Sequence, residues 1–357
     1  MDIIIFGFGE LGKKLVDECL DYECDYNIIA IVDNNASYDQ YRGLSFKKPQ
    51  DIKLLNYEEI WITTIYFNEI MSQLEKMGIA RKKLRFVEPV VPLLEYRMRM
   101  SNILDSDEYM READYIRLNH LRMYPYDFYD EYLYKNSLIE FDNEVGLFYG
   151  VYNGHRMYLA RRFNTEEKAR AYFNAVSMEQ DGRSPHCYWN NEQIANQLGN
   201  AVDVGAAEGI YGLGIIDQVE HLYMIEVDEE WIEALNVTYK DYMDKVTIIN
   251  KFIGNCDDEN NAKLDTLFAE TQIDSIKMDI EGAETDALLG ADWLLGECKP
   301  LLAVCVYHHE DDNKKIKSLL EKKGYLCVNS KGYVVCQGDW ELDLDEVGFR
   351  RALLFGR

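Results

Sequence analysis

Apolar and polar positions follow one rhythm at the two ends of this chain and a looser one between them. Residues 3–6 form an apolar run closed by Gly7, and the spacing from Glu10 to Leu20 fits a helix. A second run, Ile28 to Val32, stops at Asp33. Ile60 to Thr64, a helix from Asn68 to Met77 with Gly78 as its C-cap, and Leu84 to Val87 follow. Short apolar runs alternating with helical spacing predict parallel strands linked by helices. The rhythm returns at Ala201 to Val204, Leu222 to Ile225, Val246 to Ile249, Ile273 to Met278 and Leu301 to Val306. Helices are predicted from Asp228 or Glu229 to Tyr239 and from Ile316 to Lys323. Tyr325 to Val328, Tyr333 to Cys336 and Ala352 to Phe355 close the series, the first two as antiparallel strands.

Between the two blocks the pattern loosens. Leu93 to Met100, Ser106 to Tyr124 and Thr165 to Val176 read as helices. Leu147 to Tyr152 and His155 to Ala160 flank Asn153-Gly154, a strong hairpin signal. Tyr124, Tyr126, Phe128, Tyr129, Tyr132 and Tyr134 form an aromatic run suited to a sugar ring or, more readily, to an inter-domain seam. Arg183 and His186 sit in a polar turn that either roofs a pocket or lies on the surface. The chain therefore divides into 1–88, a small Rossmann-like block, then 89–199, mainly helical with a hairpin near 147–160, then 200–357, a larger doubly wound sheet.

Composition narrows what such a chain can do. Apolar residues make up 47%, ample for packed cores, and 38 Lys plus Arg face 64 Asp plus Glu, a formal charge of −26. That field repels nucleic acids and anionic membranes, so no nucleic-acid partner is expected. Nothing reaches the roughly 18 apolar residues of a membrane span. The 8 cysteines lack metal-knuckle spacing and read as free thiols of a cytoplasmic protein, and the composition leaves a homo-oligomer open.

Two glycine turns carry the candidate chemistry. Gly7-Phe8-Gly9-Glu10-Leu11-Gly12 has the dinucleotide-loop spacing, with Asp33 at the next strand end to meet a ribose diol. With Val32-Asp33-Asn34, this block resembles the small Rossmann-like domain found ahead of bacterial sugar-modifying enzymes, which makes a nucleotide sugar its expected ligand. The second turn is Val202-Asp203-Val204-Gly205-Ala206-Ala207-Glu208-Gly209, and Glu226 ends the strand after it, where a nucleoside needs an acid. Asp203, Glu226, Asp279 and His308-His309 all fall at strand ends, which in an open parallel sheet converge on one face. Asp203 is better placed to set the glycine loop or meet a cationic ligand end than to act as a base.

Residues 200–357 resemble the FkbM-type class I methyltransferases, which use S-adenosylmethionine. The resemblance rests on Val202 to Gly209, on Glu226, and above all on Ile276-Lys277-Met278-Asp279-Ile280-Glu281-Gly282-Ala283-Glu284, with Val306-Tyr307-His308-His309 behind it. It implies that Asp203, Val204, Gly205, Ala206, Glu208 and Gly209 form the methionyl wall and that Glu226 and Val227 take the nucleoside. Asp279 and Glu281 would line the methyl-donor and acceptor region. Val227-Asp228 stands where many members carry a proline, and Ala207-Glu208 replaces an Asn-containing loop. The implied class is α/β, two Rossmann-like domains, the C-terminal one a class I methyltransferase-type sheet, joined by a mainly helical segment.

The expected reaction is O-methylation of a glycan or nucleotide-linked sugar, with His308 as base and Asp279 or His309 behind it. Alternatively Asp279, Glu281 and His308 hold a divalent cation such as Mg²⁺. Two other classes compete: an NAD-dependent sugar-nucleotide oxidoreductase resting on Gly7 and Asp33, and a non-catalytic nucleotide- or sugar-binding protein.

Overall fold

The computed structural model describes residues 1–21, 26–35, 39–64, 66–87, 98, 102–119, 121–189, 198–336 and 348–357. The chain forms two compact units, Met1–Pro125 and Tyr126–Arg357. The stretch 89–199, read above as one connecting piece, is thus divided between them. Its predicted helix Leu93 to Met100 lies, apart from Met98, outside the described residues.

The first unit is built on β1 (Asp2–Phe6), β2 (Asn27–Val32), β3 (Gln40–Tyr41), β4 (Leu44–Lys47), β5 (Glu59–Ile62) and β6 (Leu84–Phe86). Their order is β3-β4-β2-β1-β5-β6, parallel except for the β3/β4 pair. Central strands buried on both faces explain the unbroken apolar runs: Ile3, Ile4, Ile5 and Trp61 have no exposed surface. Leu15, Val16 and Cys19 of the helix Glu10–Asp21 join Ile3, Ile5 and Ile28 in the core. Gly12 lets this helix come close, since a Cβ there would lie 1.9 Å from the Gly7 carbonyl oxygen. Of the predicted helix Ser106 to Tyr124, only Met110–Leu118 is α-helical. Asn119 turns the backbone extended and ends it.

In the second unit β7 (Ile139–Asp142), β8 (Leu147–Tyr152) and β9 (His155–Tyr158) form a meander. Asn153 and Gly154 both take positive φ, as the two-residue turn requires. The helix Glu166–Glu179, capped by Thr165, packs on this meander at Gly150, where a Cβ would strike the Phe173 ring at 2.4 Å.

The main sheet uses β10 (Asn200–Val204), β11 (His221–Ile225) and β12 (Val246–Ile249). Two short strands, β13 (Phe252–Ile253) and β14 (Asn261–Ala262), pair apart from it. It continues with β15 (Ser275–Met278), β16 (Leu301–Cys305) and β17 (Cys327–Asn329), while among the described residues β18 (Val334–Cys336) pairs with β19 (Gly348–Arg350), and β20 (Leu353–Gly356) returns to the main sheet. The order is β12-β11-β10-β15-β16-β20-β17, with β20 antiparallel to both neighbours. The strand order reverses between β10 and β15, opening a crevice at their carboxyl ends where such sheets bind ligands. Both late segments are antiparallel strands as expected, the first shortened to Cys327–Asn329 in the main sheet and the second Val334–Cys336 outside it. Val202, Val204, Met278, Leu302 and Val304 are fully buried beneath the helices.

Candidate functional site

The crevice starts with the loop after β10. Gly205, Ala207 and Gly209 all have positive φ (77°, 44° and 81°), so the chain folds back on itself before entering the helix Ile210–Ile215. Two of these positions also need the missing side chain. A Cβ on Gly205 would lie 1.9 Å from the Asp279 carbonyl oxygen, and one on Gly209 2.8 Å from Leu235 and Tyr239. The Tyr239 hydroxyl donates to the Gly209 carbonyl at 2.6 Å, fixing the end of the loop.

Glu226, at the end of β11, fastens the loop from the other side. One carboxylate oxygen accepts from the Ala207 amide at 2.8 Å, and the other from the amides of Val227 (2.7 Å) and Asp228 (2.8 Å). Asp228 in turn caps the helix Glu229–Thr238. Three backbone donors thus set the orientation of Glu226.

Two acids of the segment 202–209 lie behind the loop. Asp203 has no exposed surface and forms an ion pair with Lys277 Nζ at 2.9 Å. The two are register partners on adjacent strands. Lys277 also donates to the Gly205 carbonyl at 2.5 Å, so the pair braces the loop from inside the sheet. Burial alone would strip the lysine of its proton, but Asp203 and Asp279 hold its pKa above the ordinary value. Glu208 is buried too, accepting from the Tyr172 hydroxyl at 2.5 Å, and desolvation pushes its pKa up. Of the two roles open to Asp203, this ion pair fits the setting of the glycine loop, while the Glu208 carboxylate, expected in the methionyl wall, accepts from Tyr172. Val204 and Ala206 are buried, leaving their backbone to the wall, and Val227 is part-exposed next to Glu226.

The other side of the crevice carries the titratable cluster. Asp279 follows β15 and accepts from the Tyr188 hydroxyl at 2.8 Å, with His186 Nε2 at 3.5 Å on the same oxygen. Its second oxygen lies 3.5 Å from His308 Nε2. Burial would raise the Asp279 pKa, yet the Lys277 ammonium, His308 and the Tyr188 hydroxyl hold it below the usual carboxylate value. Burial pushes His186 down to about 4 against the pull of Asp279, so this imidazole is neutral. The polar turn holding it is therefore a floor beneath Asp279, whereas Arg183 of the same turn faces out to Glu131 and Asp181.

His308 follows β16, nine-tenths buried, with Nδ1 3.0 Å from Glu284 Oε1 and Nε2 3.7 Å from Glu281 Oε2. Desolvation would lower its pKa, but Glu284, Asp279 and Glu281 together raise it. Glu281 is strongly exposed and left-handed at φ 54°, so its carboxylate stands at the mouth of the crevice. His309 points elsewhere, against Gly282, and its amide donates to Asp312 at 2.7 Å. It does not share the position of His308. Asp279, Glu284 and His308 bring one ligand atom each within 4.8 Å of one another, as do His186, Asp279 and Cys305.

Lys277, Tyr188, Tyr172 and Glu284 are participants that the sequence reading passed over. Lys277 left a signal, a lone cation inside the apolar run of β15, which a buried strand tolerates only with an acid beside it. Tyr188 left none, because only the tertiary fold brings it to Asp279.

A glycine loop after the first strand, an acid after the second and a reversed strand order with an antiparallel seventh strand define a class I methyltransferase-type site. Residues 203–327 match the Methyltransferase FkbM domain family, and residues 1–85 match a family described as C2185-like, N-terminal. The second unit thus carries an FkbM-type methyltransferase domain, whose cofactor is S-adenosylmethionine. Among solved structures, methyltransferase FkbM from Methylobacillus flagellatus KT is similar at 17% identity and a TM-score of 0.46, covering 100% of this chain and 90% of that one. Magnesium protoporphyrin IX methyltransferase from Synechocystis PCC 6803 is similar at 14% identity and a TM-score of 0.34, covering 53% and 83%. No curated relative matches the chain. The residues fit the cofactor in kind: a bare-backbone loop at Gly205–Gly209, an oriented acid at Glu226, and an ionised Asp279 that suits a cationic sulfur. Among the described residues no helix is long and apolar enough to cross a membrane.

Proposed function

We propose that this chain methylates a hydroxyl oxygen of a glycan or a nucleotide-linked sugar. The observation that carries this reading is the pairing of His308 Nε2 with Asp279 Oδ1 at 3.5 Å, on the crevice wall opposite the Glu226-tied loop. Gly205, Ala206 and Gly209 would present backbone to the methionyl part, and Glu226 and Val227 would take the nucleoside. S-adenosylmethionine supplies a methyl carbon bound to a positively charged sulfur. When bound, it would supply that methyl to the acceptor oxygen, with the bonding pair left on sulfur. The hydroxyl proton passes to His308 Nε2, which lies beside Asp279 and Glu281 and returns it to water after release. A sugar hydroxyl is a poor nucleophile, so a base within reach contributes on the order of 10²–10⁴-fold.

The loop Gly7–Gly12 of the first unit is, by itself, a candidate seat for a nucleotide sugar. Nothing lies within 4 Å of a Cβ built on Gly9, so a diphosphate could approach the backbone there. Calorimetry against S-adenosylmethionine, NAD and UDP-glucose tests the assignment. Binding of S-adenosylmethionine and UDP-glucose is expected; binding of NAD alone would replace it with an oxidoreductase.

A further inference from the structure

We infer that Arg162 and Tyr172 are positioning residues that hold the two ends of the cofactor site at a fixed spacing, Tyr172 through Glu208 at the glycine loop and Arg162 through Asp228 at the Glu226 end. This rests on the reading of Gly205–Gly209 and Glu226 as the cofactor's seat, and it adds what sets their separation. Both residues belong to one segment, 10 positions apart, Arg162 in the connection after β9 and Tyr172 in the helix Glu166–Glu179. The Tyr172 hydroxyl donates to Glu208 Oε2 at 2.5 Å, and Glu208 stands between Ala207 and Gly209, both left-handed. A left-handed alanine is strained and persists only where its surroundings hold it. Arg162 Nη2 lies 2.5 Å from Asp228 Oδ2 and its Nε 3.2 Å from Glu230 Oε2, while its amide donates to Glu230 at 3.1 Å. Asp228 in turn supplies one of the three amides that orient Glu226.

An aromatic block joins the two contacts. Phe163 packs on Tyr172 with ring centroids 4.3 Å apart, Tyr172 on Trp231 at 5.3 Å and Phe163 on Trp231 at 5.7 Å. The Arg162 guanidinium lies over the Trp231 ring at 5.4 Å, and Trp231 sits in the first turn of the helix that Asp228 caps. Arg161 forks on Glu233 of the same helix at 2.6 and 2.5 Å, and the Tyr158 amide donates to Thr238 Oγ1 at its far end, at 3.0 Å. The chain leaving β9 is therefore strapped along that helix before it reaches Glu208. Stability alone does not account for Arg162, because an ion pair with side chains 44% and 35% exposed adds little to folding. Its geometric effect is larger, since the Asp228 it holds both caps the helix and orients the ligand acid. The direct links from the loop to the end of β11, made by the amides of Gly205, Ala206 and Ala207, stop at Ala207. Glu208 is held from the other side, by Tyr172.

The test is backbone amide exchange on the full chain by NMR, with chemical unfolding followed on the same samples. In Arg162→Met the amides of Asp228, Glu230 and Trp231 should exchange roughly tenfold faster, while those of Ala206 and Gly209 keep their rates. Tyr172→Phe should give the reverse pattern. Calorimetry then separates the two ends of the ligand. Arg162→Met should weaken adenosine and S-adenosylmethionine alike, roughly threefold to tenfold, and Tyr172→Phe should weaken S-adenosylmethionine alone. Arg162→Lys keeps the charge without the fork and should recover part of the loss. Exchange that rises across the whole second unit, in step with a lowered unfolding midpoint, would overturn the inference. So would two variants with one and the same pattern of exchange and binding. If Tyr172→Phe does not fold, Glu208→Gln keeps an acceptor for the hydroxyl, and release of its loop amides would count against the role. A wild-type chain that binds neither adenosine nor S-adenosylmethionine would sink the cofactor reading, and the exchange pattern would still decide what sets the spacing.

Discussion

The two glycine loops of this chain share one device and differ in what stands beside it. In the first unit Asp33, at the end of β2, accepts from the Phe8 amide of the loop at 2.7 Å and from its own Asn35 amide at 2.7 Å. In the second, Glu226 at the end of β11 accepts from the Ala207 amide of the loop and from its own Val227 and Asp228 amides. Each acid ties the glycine turn to the neighbouring strand. The loops part company underneath. Thr63, a neutral hydroxyl, braces Gly7 by donating to its carbonyl at 2.8 Å. A buried ion pair, Lys277 with Asp203, braces Gly205, and Asp279, Glu284 and His308 stand next to it. An acid-tethered glycine turn is thus common to both strand–turn–helix units, and what the fourth and fifth strand ends add in the second is a cluster of titratable groups.

The sharpest way to break this contrast is Lys277→Met. It leaves Asp203 buried without a partner, so the second unit should lose about 3–5 kcal/mol. Restoring much of that loss by Asp203→Asn in the same chain would identify the ion pair as the cause, as followed by chemical denaturation. Next comes Gly205→Ala, which combines a left-handed backbone with a collision against the Asp279 carbonyl and should cost about 3 kcal/mol. Gly9→Ala in the first loop meets open space and should change the melting temperature little. Equal losses from the two glycines would erase the distinction between a packed loop and an open one.

The acid limb of the stability curve separates the units as well. Folded His186 has its pKa depressed to about 4, against 6.5 for the ordinary group, with burial as the cause. Between these values the unfolded chain binds a proton that the folded chain refuses, so stability is full above about 6.5 and falls as the pH drops toward 4. The loss amounts to at most about 3 kcal/mol. His186→Gln should flatten this limb for the second unit, and an unaltered slope between those pH values would show that other groups govern it.

Much of this contrast was legible in the sequence. Apolar runs ending in Gly7 and Gly205, acids at Asp33 and Glu226, and the segment 276–284 were sufficient to place both sheets and the crevice face. Period and turn chemistry are local properties, and they survive into the fold. Whether an acid faces ligand or core is not local. Asp203 could be read either as a brace for the glycine loop or as a contact for a cationic ligand end, and only strand register sets it against Lys277 inside the sheet. Glu208 went the same way because Tyr172, 36 positions earlier, folds over it. His186 was ambiguous between roof and surface, and it lies under Asp279 through a contact 93 positions along the chain.

The finest cut between the loops is the matched pair Glu226→Ala and Asp33→Ala. If Glu226 receives the nucleoside of S-adenosylmethionine, its removal takes away a charged acceptor and frees the Ala207 amide, so affinity should fall roughly 10–100-fold. Asp33→Ala should leave that affinity unchanged while weakening UDP-glucose by a similar factor. Both variants lose the same kind of loop tether, which makes each a control for the other. A fall in S-adenosylmethionine affinity with Asp33→Ala would mean that the tether, not the ligand contact, is what calorimetry detects. The opposite result, selective loss in each unit, would show that two nucleoside frames of one design have been given separate ligands by the residues around them.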